Sequence, residues 1–432
     1  MRRAFIVIMV LAFIFTFAQK GFTDSQEEIQ ALKHQVKELM TRIEKLEQDQ
    51  AKSKEVVAAT KEDVTKVKDA ASRVDLSNAL SKLKLKGRWA AGYYASGKAG
   101  SYPDGSFEIP EGKIQFAFEP DKINTIVMRF NVNNATAQVP LMDYFYLQSK
   151  DFLPFLKDTP FSLNSRLGRF KLGFGEETWS DNPVESILPS NSAAKTGASD
   201  EGFELAGKIK LDKIRLKPLG WVVSMSDGNS GVGSDSGAAK AFMGKFNYSP
   251  IDPLYLSFSY YDSGDLKISN SEFSIAGLVS RPTGATNWER RVWEFDARYD
   301  FGKGKKPLDP PVYSDSKAIV RLSYGQFLDD IDKSTGSPKE RNGDFAFVDG
   351  IYNFNKKIYG AGRISFVELD DNVTASLNSV TTSLYDRFSF GGGYRWSDNT
   401  IIKLSYDINK NTGVSTEDAD DNLLSAIVAT QF

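Results

Sequence analysis

Residues 293–301 read WEFDARYDF. Trp293, Phe295, Ala297, Tyr299 and Phe301 alternate with Glu294, Asp296, Arg298 and Asp300. An extended chain therefore puts every apolar side chain on one face and every charge on the other, whereas a helix would scatter both around its axis. The same period of two runs through Phe388, Phe390, Gly392, Tyr394 and Trp396 against Arg387, Ser389, Gly391, Gly393 and Arg395. It runs again through Ile402, Leu404, Tyr406 and Ile408 against Lys403, Ser405 and Asp407.

Outward from this stretch, sixteen such runs succeed one another between 83–95 and 421–432, separated by Gly, Asp, Asn, Ser and Pro. Their connections mostly alternate, with KDFLPFLKDTP and GKGKKPLDPPVYSDS as longer exceptions among the tight links. Long polar links such as SGKAGSYPDGSFEI and DDIDKSTGSPKERNG take turns with tight ones such as EPDKIN, SPIDP, NFNKK and SDNT. A meander whose two rims face different compartments has this pattern. The segment 264–289 contains a candidate extra hairpin in EFSIAGLVS, so eighteen strands is the alternative count.

A soluble sandwich also alternates, so the period alone does not choose between water and lipid on the apolar side. Aromatic residues at the run ends, such as Trp89, Tyr93, Tyr394 and Trp396, and long loops on one rim only favour lipid. No four-strand repeat supports a propeller. The reading is all-β: a transmembrane antiparallel β-barrel over 83–432. In the final run Leu424, Ala426, Val428, Thr430 and Phe432 share one face, and the free edge is expected to pair with the run at 83–95, removing both edges together.

The amino-terminal part is different. Two arginines and an apolar run from Ala4 to Phe17 read as a signal peptide over 1–18, the run being shorter than the ~20 residues a membrane helix needs. A short linker, 19–28, leads to a heptad pattern beginning Ile29, Leu32, Val36, Leu39, Ile43 and Leu46. A coiled coil is expected over 29–76, followed by a linker at 77–82. At about 1.5 Å per residue it would form a rod on the order of 70 Å long. No second heptad segment is present to pair with it, so its partner is expected to be another copy of the chain. β-branched a positions with Leu at d favour two strands by the usual rule.

Composition excludes much. A formal net charge of −2 gives no global field for nucleic acid. With 0 Cys there is no disulfide or thiolate chemistry, and the 1 His, His34, lies in the charged heptad segment. Catalytic triads and zinc sites therefore lack their usual residues, and neither an enzyme nor a cofactor is expected.

If the apolar parity meets lipid, the other parity lines a lumen. It is assigned the basic residues Arg88, Arg129, Arg169, Lys171, Lys208, Lys245, Arg298, Arg321, Arg363, Arg387, Arg395 and Lys403, with Lys84, Lys86 and Lys210 nearer one rim. Against them stand Glu204, Glu294, Asp296, Asp300, Asp349 and Asp407. An excess of one sign in a narrow low-dielectric passage attracts the opposite ion, so anions are expected to be favoured. The bland alternative is that these charges satisfy one another across adjacent strands.

The stretch SRLGRFKLGFGEETWSDNP places Phe170, Leu172 and Phe174 on one face, read as the lipid face, and Arg169 and Lys171 on the other. With Gly168, Gly173, Gly175, Glu176 and Glu177 it resembles the strand motif of the phosphate-selective porins of Gram-negative outer membranes, which precedes a loop associated with constricting the pore. The broader resemblance covers about 88–432. It implies a homotrimer of sixteen-stranded barrels in the outer membrane that passes small hydrophilic solutes and prefers anions, phosphate among them. Phe432 likewise resembles the terminal aromatic recognised by outer-membrane assembly machinery. Two departures stand out: the dense ladder of inward arginines of that family is missing, and the coiled coil is an extension. An even number of strands puts both barrel ends on the tight-turn rim, so the coiled coil would project into the periplasm. A tether to peptidoglycan is the alternative function.

Overall fold

The computed structural model describes residues 81–132, 142–156, 159–180, 182–211, 216–228, 239–267, 273–278, 282, 285–302, 316–334, 340–370, 375–377, 380–412 and 419–432, with a few helical positions between 38 and 45. The stretch read as a signal peptide and nearly all of the heptad segment lie outside the described residues. The chain divides after Leu80 into two units, and the described strands all belong to the second, Ser81–Phe432.

Sixteen strands form one closed antiparallel sheet. The first eight are β1 (Leu83–Ser96), β2 (Ser106–Phe118), β3 (Asn124–Asn131), β4 (Met142–Lys150), β5 (Phe161–Lys171), β6 (Ser199–Ile209), β7 (Leu219–Ser226) and β8 (Ala241–Tyr248). The others are β9 (Leu254–Asp262), β10 (Ala285–Asp300), β11 (Ala318–Ser334), β12 (Glu340–Asn353), β13 (Ile358–Leu369), β14 (Leu384–Arg395), β15 (Thr400–Thr412) and β16 (Leu423–Gln431). Each pairs with its sequence neighbours, and β16 closes on β1 with a register from Arg88↔Gln431 to Ser96↔Leu423. Every strand expected from alternation is present, most within a few residues of their expected ends, while β2, β10 and β11 run further toward the long-loop rim. Closure leaves no strand edge, which is why the last strand can end without a cap.

The alternative count of eighteen is overturned. Between β9 and β10, Leu266–Lys267 merely extend the hairpin onto Trp288 and Asn287. Ser274–Ile275, from the candidate hairpin, pair instead with Thr196–Gly197 in the loop after β5. Both loops fold into the barrel rather than adding to its wall.

Register carries the face assignment around the wall. One parity is exposed and apolar, including Phe258, Phe295, Leu322, Val348, Ile364, Phe390, Leu404 and Val428. The other is turned inward and is mostly polar and buried. At β5 the sequence reading fails. Phe170 pairs with Asp200, and its neighbour Gly168 with Tyr146, so Phe170 faces the interior. Leu172 and Phe174 follow it inside and are fully buried with Phe273, Ile275, Phe327, Phe345 and Tyr385. Arg169 takes the opposite register, sharing the face of Leu167 and pairing with Phe145 and Glu201. The cause is that the chain leaves the wall here: an apolar side chain buried beneath an inward loop alternates just as one turned to lipid does.

Candidate functional site

The lumen is organised by the loop 172–198. Gly175 is where it first presses on the wall. Its φ of +65° is one that side chains rarely adopt, and a Cβ would lie 2.9 Å from the Glu294 carboxylate, so glycine is required on both counts. The Gly175 carbonyl accepts from Lys245 Nζ at 2.6 Å, and its amide donates to Ser259 Oγ.

From there the inward bases of β8–β15 hold the loop residue by residue. Arg298 pairs with Glu176. Arg321 donates to Ser180 Oγ at 2.6 Å and to Asp349. Arg363 bridges Glu177 at 3.2 Å, Asp349 at 3.1 Å and the Ser190 carbonyl at 2.9 Å. Arg387 donates to the Asn191 carbonyl at 3.0 Å and Lys403 to the Ser186 carbonyl. Lys171, at the root of the loop, donates to the Thr178 carbonyl. Glu177 also accepts from the Ser192 amide and hydroxyl, which fixes the two arms of the loop to each other. Buried charges survive only when paired and hydrogen-bonded, and here each base has its partner on the loop or the next strand.

The second inward loop has its own clamp. Arg290 donates twice to Asp329, at 2.7 and 2.9 Å, and to the Phe273 carbonyl at 2.7 Å, while Arg341 reaches the same Asp329. The apolar cluster around Phe174 and Phe273 then fills the space between the two loops and the wall.

The opposite side of the lumen is more open. On β1–β6 the inward charged side chains remain accessible: Arg88 and Glu111 at 15%, Lys113 at 16%, Arg129 at 13%, Asp143 at 20% and Arg166 at 26%. They form ion pairs with one another: Arg88 with Glu111, Arg129 with Asp143 at 2.8 Å and Arg166 with Glu204 at 3.2 Å across adjacent strands, and Lys113 with Asp143 at 3.0 Å across the intervening β3. Asp143 joins this face through a register shift, since Arg129 pairs with Tyr144 but Phe130 with Met142. The Arg129 guanidinium lies 3.6 Å above the Tyr144 ring, which fixes its plane. At the tight-turn rim a cavity of about 1180 Å³ opens below the loop, lined by Glu185, Lys356, Tyr359, Arg395 and Gln431 among others.

The twelve bases selected by alternation thus fall into separate groups. Arg88 and Arg129 stand on the accessible wall. Lys171, Lys245, Arg298, Arg321, Arg363, Arg387 and Lys403 bind the inward loop. Arg395 lies over the Tyr359 ring beside the rim cavity, and Lys208 is exposed near the rim. Arg169, expected inside, has the outward register, and Lys171, two residues on, shares it, its amine reaching the loop from the end of the strand. Alternation also missed Glu111, Lys113, Asp143, Arg166, Arg290, Asp329 and Arg341. All but Asp143 keep the inward register; a fuller reading of each run would have reached them except Arg166, which shares the face of Phe170 and was lost with the inverted reading of β5.

No family model matches the sequence, and no curated protein matches it. Solved structures do. The anion-selective porin from Comamonas acidovorans superposes with a TM-score of 0.54 at 11% identity, covering 81% of this chain and 99% of that one. The outer membrane channel DcaP of Acinetobacter baumannii gives 0.53 at 10% identity over 81% and 97%. In-vitro folded OmpT, an outer membrane protein of Vibrio cholerae, gives 0.52 at 10% over 81% and 97%. At these identities the likeness is one of fold: the barrel from Ser81 to Phe432 is built like those of outer-membrane porins and channels.

Proposed function

We propose that the protein is an outer-membrane porin, a passive channel for small hydrophilic solutes with a mild preference for anions. The observation that carries this reading is the division of the lumen. One wall is sealed by the clamped loop, and the other keeps charged side chains accessible, which a solid plug would cover. The apolar outward face supports placement in a bilayer, since so large an exposed apolar area is unfavourable in water. Arg88, Lys113, Arg129 and Arg166 face the path against Glu111, Asp143 and Glu204, a small excess of positive charge. Because each of these bases already has a carboxylate partner, the wall supports general attraction of anions over tight capture of phosphate.

The same reading includes a homotrimer, with the heptad segment in the periplasm joining copies, and insertion guided by Phe432 as an assembly signal. The test is reversal potential in a KCl gradient across a planar bilayer containing the purified protein. Anion selectivity is expected. Cation selectivity would overturn the preference, and absence of conductance would overturn the channel.

A further inference from the structure

Two pairs of guanidinium and tyrosine stand on the accessible wall, and they differ. Arg129, over the Tyr144 ring, gives both Nε and Nη2 to Asp143 at 2.8 Å, and Tyr144 is only 8% exposed. That pair is closed. Arg166, on β5, lies 5.6 Å from the centre of the Tyr146 ring and is 26% exposed. Among the described residues it has a single ion-pair contact, from Nη1 to Glu204 at 3.2 Å, and Glu204 is 3% exposed. The buried carboxylate therefore holds one edge of the guanidinium, and donors on its other edge remain for a solute.

The surroundings of the second pair suit a ring. Tyr146 is half-buried, and Phe170 meets it nearly perpendicular at 6.4 Å, at the margin of the apolar cluster beneath the inward loop. The next inward positions across the sheet from Tyr146 are Gly168 on β5 and Gly202 on β6. Neither contributes a side chain, so a recess floored by backbone lies beside the ring, where a ligand can come close to the wall. Opposite Arg166 on β4 is Gln148, partly exposed, and its amide has no hydrogen-bond partner among the described residues. One place on the path thus holds a positive fork, a flat apolar face, a recess and an uncommitted amide. A small inorganic anion would use only the first, a neutral sugar only the others, and an aromatic acid would leave the amide unpaired. A saturated ring that carries a carboxylate and hydroxyls uses all of them.

We propose that this recess is a binding station for acidic monosaccharides of the hexuronate class, with the carboxylate on Arg166, one face of the sugar ring on Tyr146 and a ring hydroxyl bonded to Gln148. The proposal rests on the channel reading and names the class of solute that the channel favours. Binding is weak, as passage requires, because Arg166 already shares its charge with Glu204.

The experiment is block of the KCl current through the full-length protein in a planar bilayer by glucuronate, compared with glucose, which lacks the charge, and gluconate, which lacks the ring. Glucuronate is expected to halve the current at a concentration roughly tenfold below that of either comparison, and Arg166→Gln or Tyr146→Leu to raise that concentration roughly tenfold, the scale of losing a charge-assisted bond or an aromatic platform. Tyr146→Phe keeps the ring and is expected to stay within about twofold of the wild type. Equal block by the three solutes, block unchanged in both Arg166→Gln and Tyr146→Leu, or a Tyr146→Phe channel blocked as weakly as Tyr146→Leu would overturn the proposal. Insertion and KCl conduction by each variant show that it is folded. A wild type that conducts without selective block overturns the station alone, whereas one that never conducts overturns the channel reading beneath it.

Discussion

At Gly87 the end of the barrel rests on its beginning. Phe432 donates its amide to the Gly87 carbonyl at 2.9 Å and accepts from the Gly87 amide at 3.0 Å. A Cβ at Gly87 would stand 2.2 Å from the Phe432 ring, so the aromatic crosses the strand where there is no side chain. Gly87→Val is therefore expected to push the ring away and weaken the seam by ~1–3 kcal/mol, read as a lower midpoint for conversion of the compact to the unfolded electrophoretic form. An unchanged midpoint would contradict this use of glycine. On the accessible wall, Arg129→Glu replaces a base fixed over Tyr144 by a charge beside Asp143. The variant is expected to shift reversal potential toward cations, while Arg298→Gln, on the sealed wall, shifts it much less. Asp121, in the turn between β2 and β3, accepts from the Asn124 side chain and the amides of Asn124 and Ile123, which hold its carboxyl below the usual range. A depressed value stabilises the turn above the ordinary carboxylate range and loses that effect as pH falls through it. A fall in the protection factors of the Ile123 and Asn124 amides on acidification, after correction for the slower intrinsic exchange, checks the sign.

Among the elements, the inward loop depends on a few buried charges. Arg298 and Arg363 are 2% exposed and point at Glu176 and Glu177. Replacing both glutamates by Gln leaves these guanidiniums without charge partners on the loop, a loss on the order of 3–5 kcal/mol for a buried pair. The loop is expected to leave its seat, giving a larger and noisier single-channel current, and a quiet current of wild-type size would contradict the clamp. This element also marks how far the sequence could be read. Along β10–β16, apolar residues such as Phe295 and Leu404 meet one environment and charges such as Arg298 and Lys403 another, so alternation assigned their faces correctly. At Phe170, Leu172 and Phe174 the period of two is the same but the apolar surroundings are the loop's own packing inside the barrel. Alternation reports that two environments differ and does not say which is lipid. For the same reason EFSIAGLVS looked like wall, although Phe273 and Ile275 pack on Phe174 and its neighbours.

For the whole molecule, the number of strands and the seam were legible because closure demands an edge partner for the last strand. The charge balance of the path was not. The sequence offered a lumen rich in bases, but seven of those bases are bonded to loop carbonyls, hydroxyls and carboxylates, and burial withdraws five of them, Lys245, Arg298, Arg321, Arg363 and Lys403, from passing ions. What remains along β1–β6 is a nearly balanced row, which is why a mild selectivity is expected. The central claim is that water runs along β1–β6 and is shut out from β8–β15 at the level of the clamped loop. The natural sequence has 0 Cys, so single introduced thiols report on this without interference. Gln115→Cys on β2 and Ser323→Cys on β11 both have the inward register. In a bilayer, a charged methanethiosulfonate reagent is expected to change the current through the Gln115→Cys channel at once and to leave Ser323→Cys unaffected. Modification of Ser323→Cys with Gln115→Cys unaffected would contradict the account.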